Sequence, residues 1–152
     1  MADHLAADLL VHVSAMVPVP GERFMAWWSA TGHEASGHAP LDDELAAYMH
    51  DVDPELARQA LARAQPEFHA PEEPWPLVAQ PDVPTRFVLC TEDRFFPAAW
   101  MREVVRRRLG VEPDELEASH SPYLSRPAEL AGRLDGYVAQ PAAASGRGTG
   151  SG

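Results

Sequence analysis

The chain has 152 residues, of which 45% are hydrophobic and 23% charged, and its 12 basic against 23 acidic side chains leave a net charge of -11. That length fits one domain and excludes two, and the composition excludes a disordered or fibrous protein. The charge repels phosphate backbones and anionic lipid, so neither nucleic acid nor a membrane is expected as a partner.

Taken in chain order, Leu9–Met16 (Leu-Leu-Val-His-Val-Ser-Ala-Met) reads as a short strand buried on both faces of a parallel sheet, stopped by Pro18. The apolar stretch around it is too short to span a membrane and contains His12 and Ser14. From Pro18 to Pro84 the pattern becomes helical pieces divided by Pro and Gly: Arg23–Ala30, Leu41–Met49 and Pro54–Ala64. The last has Asp53 as N-cap, Pro54 in its first turn and an apolar stripe of Leu56, Ala60, Leu61 and Ala64. Gln65–Pro84 carries many prolines and reads as extended loop.

Thr85–Cys90 is a second strand, ended by the polar run Thr91-Glu92-Asp93-Arg94. Pro97 opens a helix with Trp100, Met101, Val104, Val105 and Leu109 on one side, closed by Gly110. Glu115–Ala118 is a third strand, and a last helix starts with Ser125 as N-cap and Pro127 in its first turn. Residues 140–152, rich in Pro, Ala, Gly and Ser, are expected to be a disordered tail. Strands separated by crossovers too long for hairpins imply an α/β fold with three parallel strands and flanking helices.

Functional groups in an open parallel sheet gather just past the carboxyl ends of its strands. Asp93 stands three residues beyond Cys90 and His120 two beyond Ala118. If neighbouring strands hold them together, Asp93 can accept the Nδ1 proton of His120, leaving Nε2 as a general base. Taken singly, each reads more simply as a polar loop residue, Asp93 capping the helix after Pro97 and His120 sitting in a turn before Ser121-Pro122. Ser14, Ser121, Ser125 and Cys90 are weak candidates for a nucleophile, the serines having turn or capping roles and Cys90 facing the core. His33 and His38 are five residues apart with Gly37 between them, which does not fit a helical zinc motif. No metal or other cofactor is implied.

Three stretches resemble the α/β-hydrolase fold family, in its branch of small esterases that includes plant methylesterases and hydroxynitrile lyases. They are Val11–Glu22, Val88–Pro97 and Ser119–Pro127, similar in order to the strand before the cap, the acid-bearing strand end and the histidine loop. The resemblance implies that Asp93 is the triad acid, that His120 is the triad base, and that residues 1–139 form the carboxyl-terminal half of the hydrolase domain, with a cap over about 18–84. It also implies that Trp27 and Trp28, at the start of the cap, line an apolar substrate pocket, the alternative being that they pack the cap onto the sheet.

Such enzymes carry their serine in Gly-x-Ser-x-Gly upstream of the strand that here is Leu9–Met16, and this chain contains no such motif. The nucleophile and oxyanion donors are therefore expected to lie before Met1. The chain reads as part of a carboxylic-ester hydrolase acting on a small ester, inactive by itself. The alternative is a non-catalytic truncated relative that serves as a binding or interaction module. In that case the exposed edge of strand 9–16 invites self-association. A single cysteine and a start without a signal-peptide pattern point to the cytoplasm.

Overall fold

The computed structural model describes residues 7–40, 42–64 and 73–139. Three strands, β1 (Leu10–Val13), β2 (Thr85–Cys90) and β3 (Asp114–Leu116), form one parallel sheet in the order β1-β2-β3. Leu10 pairs with Thr85 and Val13 with Val88, and on the other side Val88 pairs with Asp114 and Cys90 with Leu116. The expected three-stranded α/β arrangement is therefore present.

β2 is the central strand, and its side chains alternate between two apolar layers. Phe87 and Leu89 face one layer, with Met101, Val104 and Val105 of α4 (Ala98–Leu109) and with Trp27. Val88 and Cys90 face the other, with Leu116, Ala118 and two residues of α6 (Pro127–Ala139), Leu130 and Tyr137. Two helices on opposite faces bury the apolar run Phe87–Cys90 of β2, which is why the strand is legible without an alternating pattern. Polar contacts bind the helices to β3: Arg102 of α4 pairs with the Glu115 carboxylate, and the Tyr137 hydroxyl donates to Asp114 at 2.6 Å.

Between β1 and β2 lies an insert of short helices: α1 (Phe24–Thr31), a 3-10 turn His33–Ala35, α2 (Glu44–Tyr48) and α3 (Pro54–Arg63). Asp53 Oδ1 accepts from the amides of Glu55 and Leu56, both at 3.0 Å, as an N-cap does. Gly32 and Gly110 end α1 and α4 at φ of 72° and 69°, a left-handed conformation open to glycine at little cost. The insert is tied to α4 by Arg108, whose guanidinium donates to both oxygens of Glu22 at 2.5 and 2.8 Å and to the Val17 carbonyl at 2.7 Å.

Several expectations need correction. The first strand is shorter than Leu9–Met16 because Ser14 turns out of the ladder at φ 39°, and its residues are half-buried since, among the described residues, β1 pairs only with β2. The helix expected over Leu41–Met49 is limited to Glu44–Tyr48, with Leu41 outside the described residues. In α3 the buried residue is Ala57; Leu56 and Ala64 are exposed, while Ala60 and Leu61 are half-buried. The third strand begins one residue early and ends at Leu116, leaving Ala118 buried in the loop. Ser125 does not cap the last helix: it closes an additional turn, α5 (Pro122–Ser125). Much of the loop expected over Gln65–Pro84, and all of the tail at 140–152, lies outside the described residues. Among the described residues no helix is long and apolar enough to cross a membrane.

Candidate active site

The parallel ladder between β2 and β3 does not stop where the strands do. Thr91 donates its amide to the Leu116 carbonyl at 2.9 Å and Glu92 donates to Ala118 at 3.1 Å, so the two loops leave the sheet side by side. Asp93 and His120 follow directly, and His120 Nδ1 lies 2.8 Å from Asp93 Oδ2. The structure thus brings the two residues together at the carboxyl end of adjacent strands.

Their environments differ. The Asp93 side chain is 2% exposed and His120 20%. Asp93 Oδ1 accepts the amides of Phe95 and Phe96 at 2.9 and 2.8 Å, a local turn that consumes one oxygen and leaves Oδ2 for the histidine. A carboxylate only accepts, so the proton between the pair belongs to Nδ1 and the neutral ring has its lone pair on Nε2. The His120 ring is packed edge-on against Phe95 and Phe96, with centroids 5.0 and 5.1 Å away, and tilted against Tyr48 at 5.4 Å.

The insert reaches this site from above through Tyr48–Asp51, a segment that the sequence does not single out. Asp51 Oδ2 accepts the Ser119 amide at 3.0 Å, the Ser119 hydroxyl donates to the Tyr48 carbonyl at 3.1 Å, and His50 Nε2 lies 2.8 Å from the Glu92 carbonyl. Both loops are therefore gripped by three residues of this one segment, Tyr48, His50 and Asp51. Burial would raise the Asp51 carboxyl, but the hydrogen bond from Ser119 and the charge of Arg126 outweigh it and hold the group below its ordinary range. The only local signal for Asp51 is a polar pair, His50-Asp51, between α2 and the Asp53 cap. Nothing in the sequence indicates that it reaches a loop 68 residues away.

The other candidates occupy different places. Trp27 is completely buried and its indole Nε1 donates to the Val17 carbonyl at 3.1 Å, so it packs the insert onto the sheet and offers no surface to a ligand. Trp28 is half-buried and meets Phe95 at 5.7 Å, one ring removed from His120. The rings in contact with His120 are Tyr48, Phe95 and Phe96, which the sequence reading did not single out. Ser121 is buried, and its carbonyl accepts from Leu124 and Ser125 in the turn that starts α5. Ser14 is likewise buried at the end of β1. Burial pushes the Cys90 thiol up to about 11, against the pull of the Ser14 hydroxyl and helped by the charges of Asp93 and Asp51, so it is a core residue and a poor nucleophile. His33 is buried with Nε2 2.7 Å from the Phe95 carbonyl, and its ring stacks on His38 at 4.4 Å. Among the described residues no three His, Cys, Asp or Glu side chains converge as metal ligands.

A chain of this fold has counterparts in known proteins. The family model described as "Alpha/beta hydrolase family" matches residues 1–133. The chain belongs to the α/β-hydrolase family. Solved structures share its fold at low identity. Polyneuridine aldehyde esterase superposes with a TM-score of 0.67 at 15% identity, over 86% of this chain and 62% of that one. A pyrethroid hydrolase matches with a TM-score of 0.64 at 19% identity, over 90% and 62% of the two chains. A pyrethroid hydrolase from Sphingobium faniae JZ-2 matches with a TM-score of 0.57 at 19% identity, over 89% and 62%. The chain thus spans less than two thirds of the length of these structures. No curated protein matches it.

Proposed function

We propose that this chain is the carboxyl-terminal part of a carboxylic-ester hydrolase, in which Asp93 and His120 are the acid and the base of a Ser-His-Asp triad. The observation that carries this reading is the 2.8 Å contact between His120 Nδ1 and Asp93 Oδ2, with Oδ1 already occupied by two amides. The nucleophile serine and the oxyanion donors come from residues outside this sequence.

In the reaction His120 Nε2 takes the serine proton as the hydroxyl attacks the ester carbonyl. The Asp93 carboxylate stabilises the imidazolium that forms, and the same proton is then delivered to the leaving alcohol. Water, activated by the same nitrogen, hydrolyses the acyl-enzyme and restores the serine. The substrate is a small ester. The setting is the cytoplasm, where a single free thiol such as Cys90 persists.

The test begins with the gene. Translation upstream of the Met1 codon is expected to reveal an in-frame Gly-x-Ser-x-Gly, and the protein that includes it is expected to hydrolyse p-nitrophenyl esters and to lose that activity in His120→Ala. An active His120→Ala protein would refute the assignment. A second reading, a non-catalytic interaction module, draws on the edge of β1, which has no partner strand among the described residues. If no elbow lies upstream in any frame, that reading expects the chain to sediment as a dimer paired through residues 10–13.

A further inference from the structure

The turn that follows Asp93 is held from two sides. Phe95 and Phe96 donate their amides to Asp93 Oδ1. The carbonyls on the opposite edges of those same two peptide units are taken by the insert: Arg94 accepts from the Ala39 amide at 2.7 Å, and Phe95 is 2.7 Å from His33 Nε2. A trans peptide is a rigid plane with its N–H and C=O pointing in opposite directions. A plane clamped at both edges cannot rotate without breaking both bonds.

Of the two clamps, Ala39 contributes only backbone, whereas His33 supplies a side chain that is 2% exposed and lies 62 residues away in sequence. A carbonyl only accepts, so His33 carries its proton on Nε2. Burial, opposed by the Phe95 carbonyl and reinforced by His38, lowers its pKa and keeps the ring neutral near pH 7. The ring is set by Trp28 and Trp100 at 4.8 and 5.0 Å and by the stacked His38.

We propose that His33 is a positioning residue for Asp93: its Nε2–H fixes the Phe95–Phe96 peptide, and that peptide fixes the carboxylate that faces His120. The proposal rests on the reading of Asp93 and His120 as a hydrolytic pair. His33 touches neither the pair nor substrate. It sets the angle at which Oδ2 meets Nδ1.

The experiment compares His33→Phe, which keeps an aromatic ring but has no donor, with His33→Gln, which can restore the donor, in the protein that carries the full domain. His33→Phe is expected to lower kcat on the order of tenfold to a hundredfold with KM little changed, the scale of a small misplacement of a reacting group. His33→Gln is expected to recover most of the loss. Independently of hydrolysis, the far-downfield proton resonance of His120 Nδ1 should shift in His33→Phe and return in His33→Gln. A resonance unmoved in His33→Phe overturns the proposal whatever the activity does. A resonance that responds in a protein without esterase activity supports the positioning role and refutes the hydrolytic reading instead. If His33→Phe does not fold, nitrogen chemical shifts in the unsubstituted protein decide: a His33 protonated on Nδ1 overturns the proposal, and one protonated on Nε2 supports it.

Discussion

Asp93→Asn is the substitution whose outcome the geometry specifies most fully. The side-chain amide can sit in two orientations. With its nitrogen at the Oδ1 position it would face the amides of Phe95 and Phe96, two donors at 2.9 and 2.8 Å, and lose both bonds. The oxygen is therefore pinned there, and the NH2 group is forced into the Oδ2 position, 2.8 Å from His120 Nδ1. A donor facing Nδ1 requires that nitrogen to be unprotonated, so the proton moves to Nε2 and the ring can no longer act as a base toward a serine. A wrong tautomer at this position of a triad costs about 10⁴ in kcat, which corresponds to about 5 kcal/mol of barrier.

Folding should suffer far less. The two amide bonds survive with a neutral acceptor in place of a charged one, a cost of about 1–3 kcal/mol. The assay is p-nitrophenyl ester hydrolysis by the protein that contains the elbow, with the His120 tautomer read from its nitrogen chemical shifts and stability from urea denaturation. A folded Asp93→Asn protein that keeps activity within about tenfold of the parent, or a His120 still protonated on Nδ1, would refute the reasoning.

Other expectations follow from the same contacts. Arg108→Met strands Glu22, whose pair with Arg108 is nearly enclosed at 12% and 7% side-chain exposure, and should lower stability by about 3–5 kcal/mol, whereas Arg58→Met, in a pair exposed at 63% and 64%, should leave the urea midpoint nearly unchanged; equal effects would contradict the difference in burial. Asp51→Ala leaves the Ser119 amide without its acceptor and should reduce kcat on the order of tenfold by loosening the histidine loop. Because the folded state holds the Asp51 carboxyl below its ordinary 3.8, its contribution to stability is complete above that value and is lost as pH falls through the lower folded one; Asp51→Asn should flatten the acid limb of the stability profile. Cys90, with its thiol pushed up to about 11 and 1% exposed, should resist iodoacetamide at pH 8 in the folded protein and react once urea unfolds it.

The parts of the fold that were legible in advance are those with local causes. Thr85–Cys90 ends in four apolar residues, Phe87–Cys90, followed by a polar stop, and it forms a strand over those six residues. Asp53 with Pro54 starts a helix, and Gly110 ends one, because caps and left-handed turns are decided by the residue itself and its immediate neighbours. The order of the elements and the position of Asp93 and His120 past two strand ends belong to the same class.

What went astray depended on neighbours far along the chain. Leu56 belongs to an apolar stripe by spacing, yet it is 39% exposed because the insert offers Ala57 to the interior instead. Trp27 packs in the layer under α4, and the rings against His120 come from Tyr48, Phe95 and Phe96. Asp51 takes its meaning from an amide 68 residues distant and His33 from a carbonyl 62 residues distant.

The sequence by itself determined the α/β class, the chemical types available at the strand ends and the absence of an internal Gly-x-Ser-x-Gly. Only the tertiary structure decided that the histidine and the acid meet at 2.8 Å, and which residues hold them there. The physical reason is that a side chain's type and a cap are properties of a few adjacent residues, whereas a hydrogen bond between two loops exists only once the β2–β3 ladder and the insert have fixed the directions of their peptide planes.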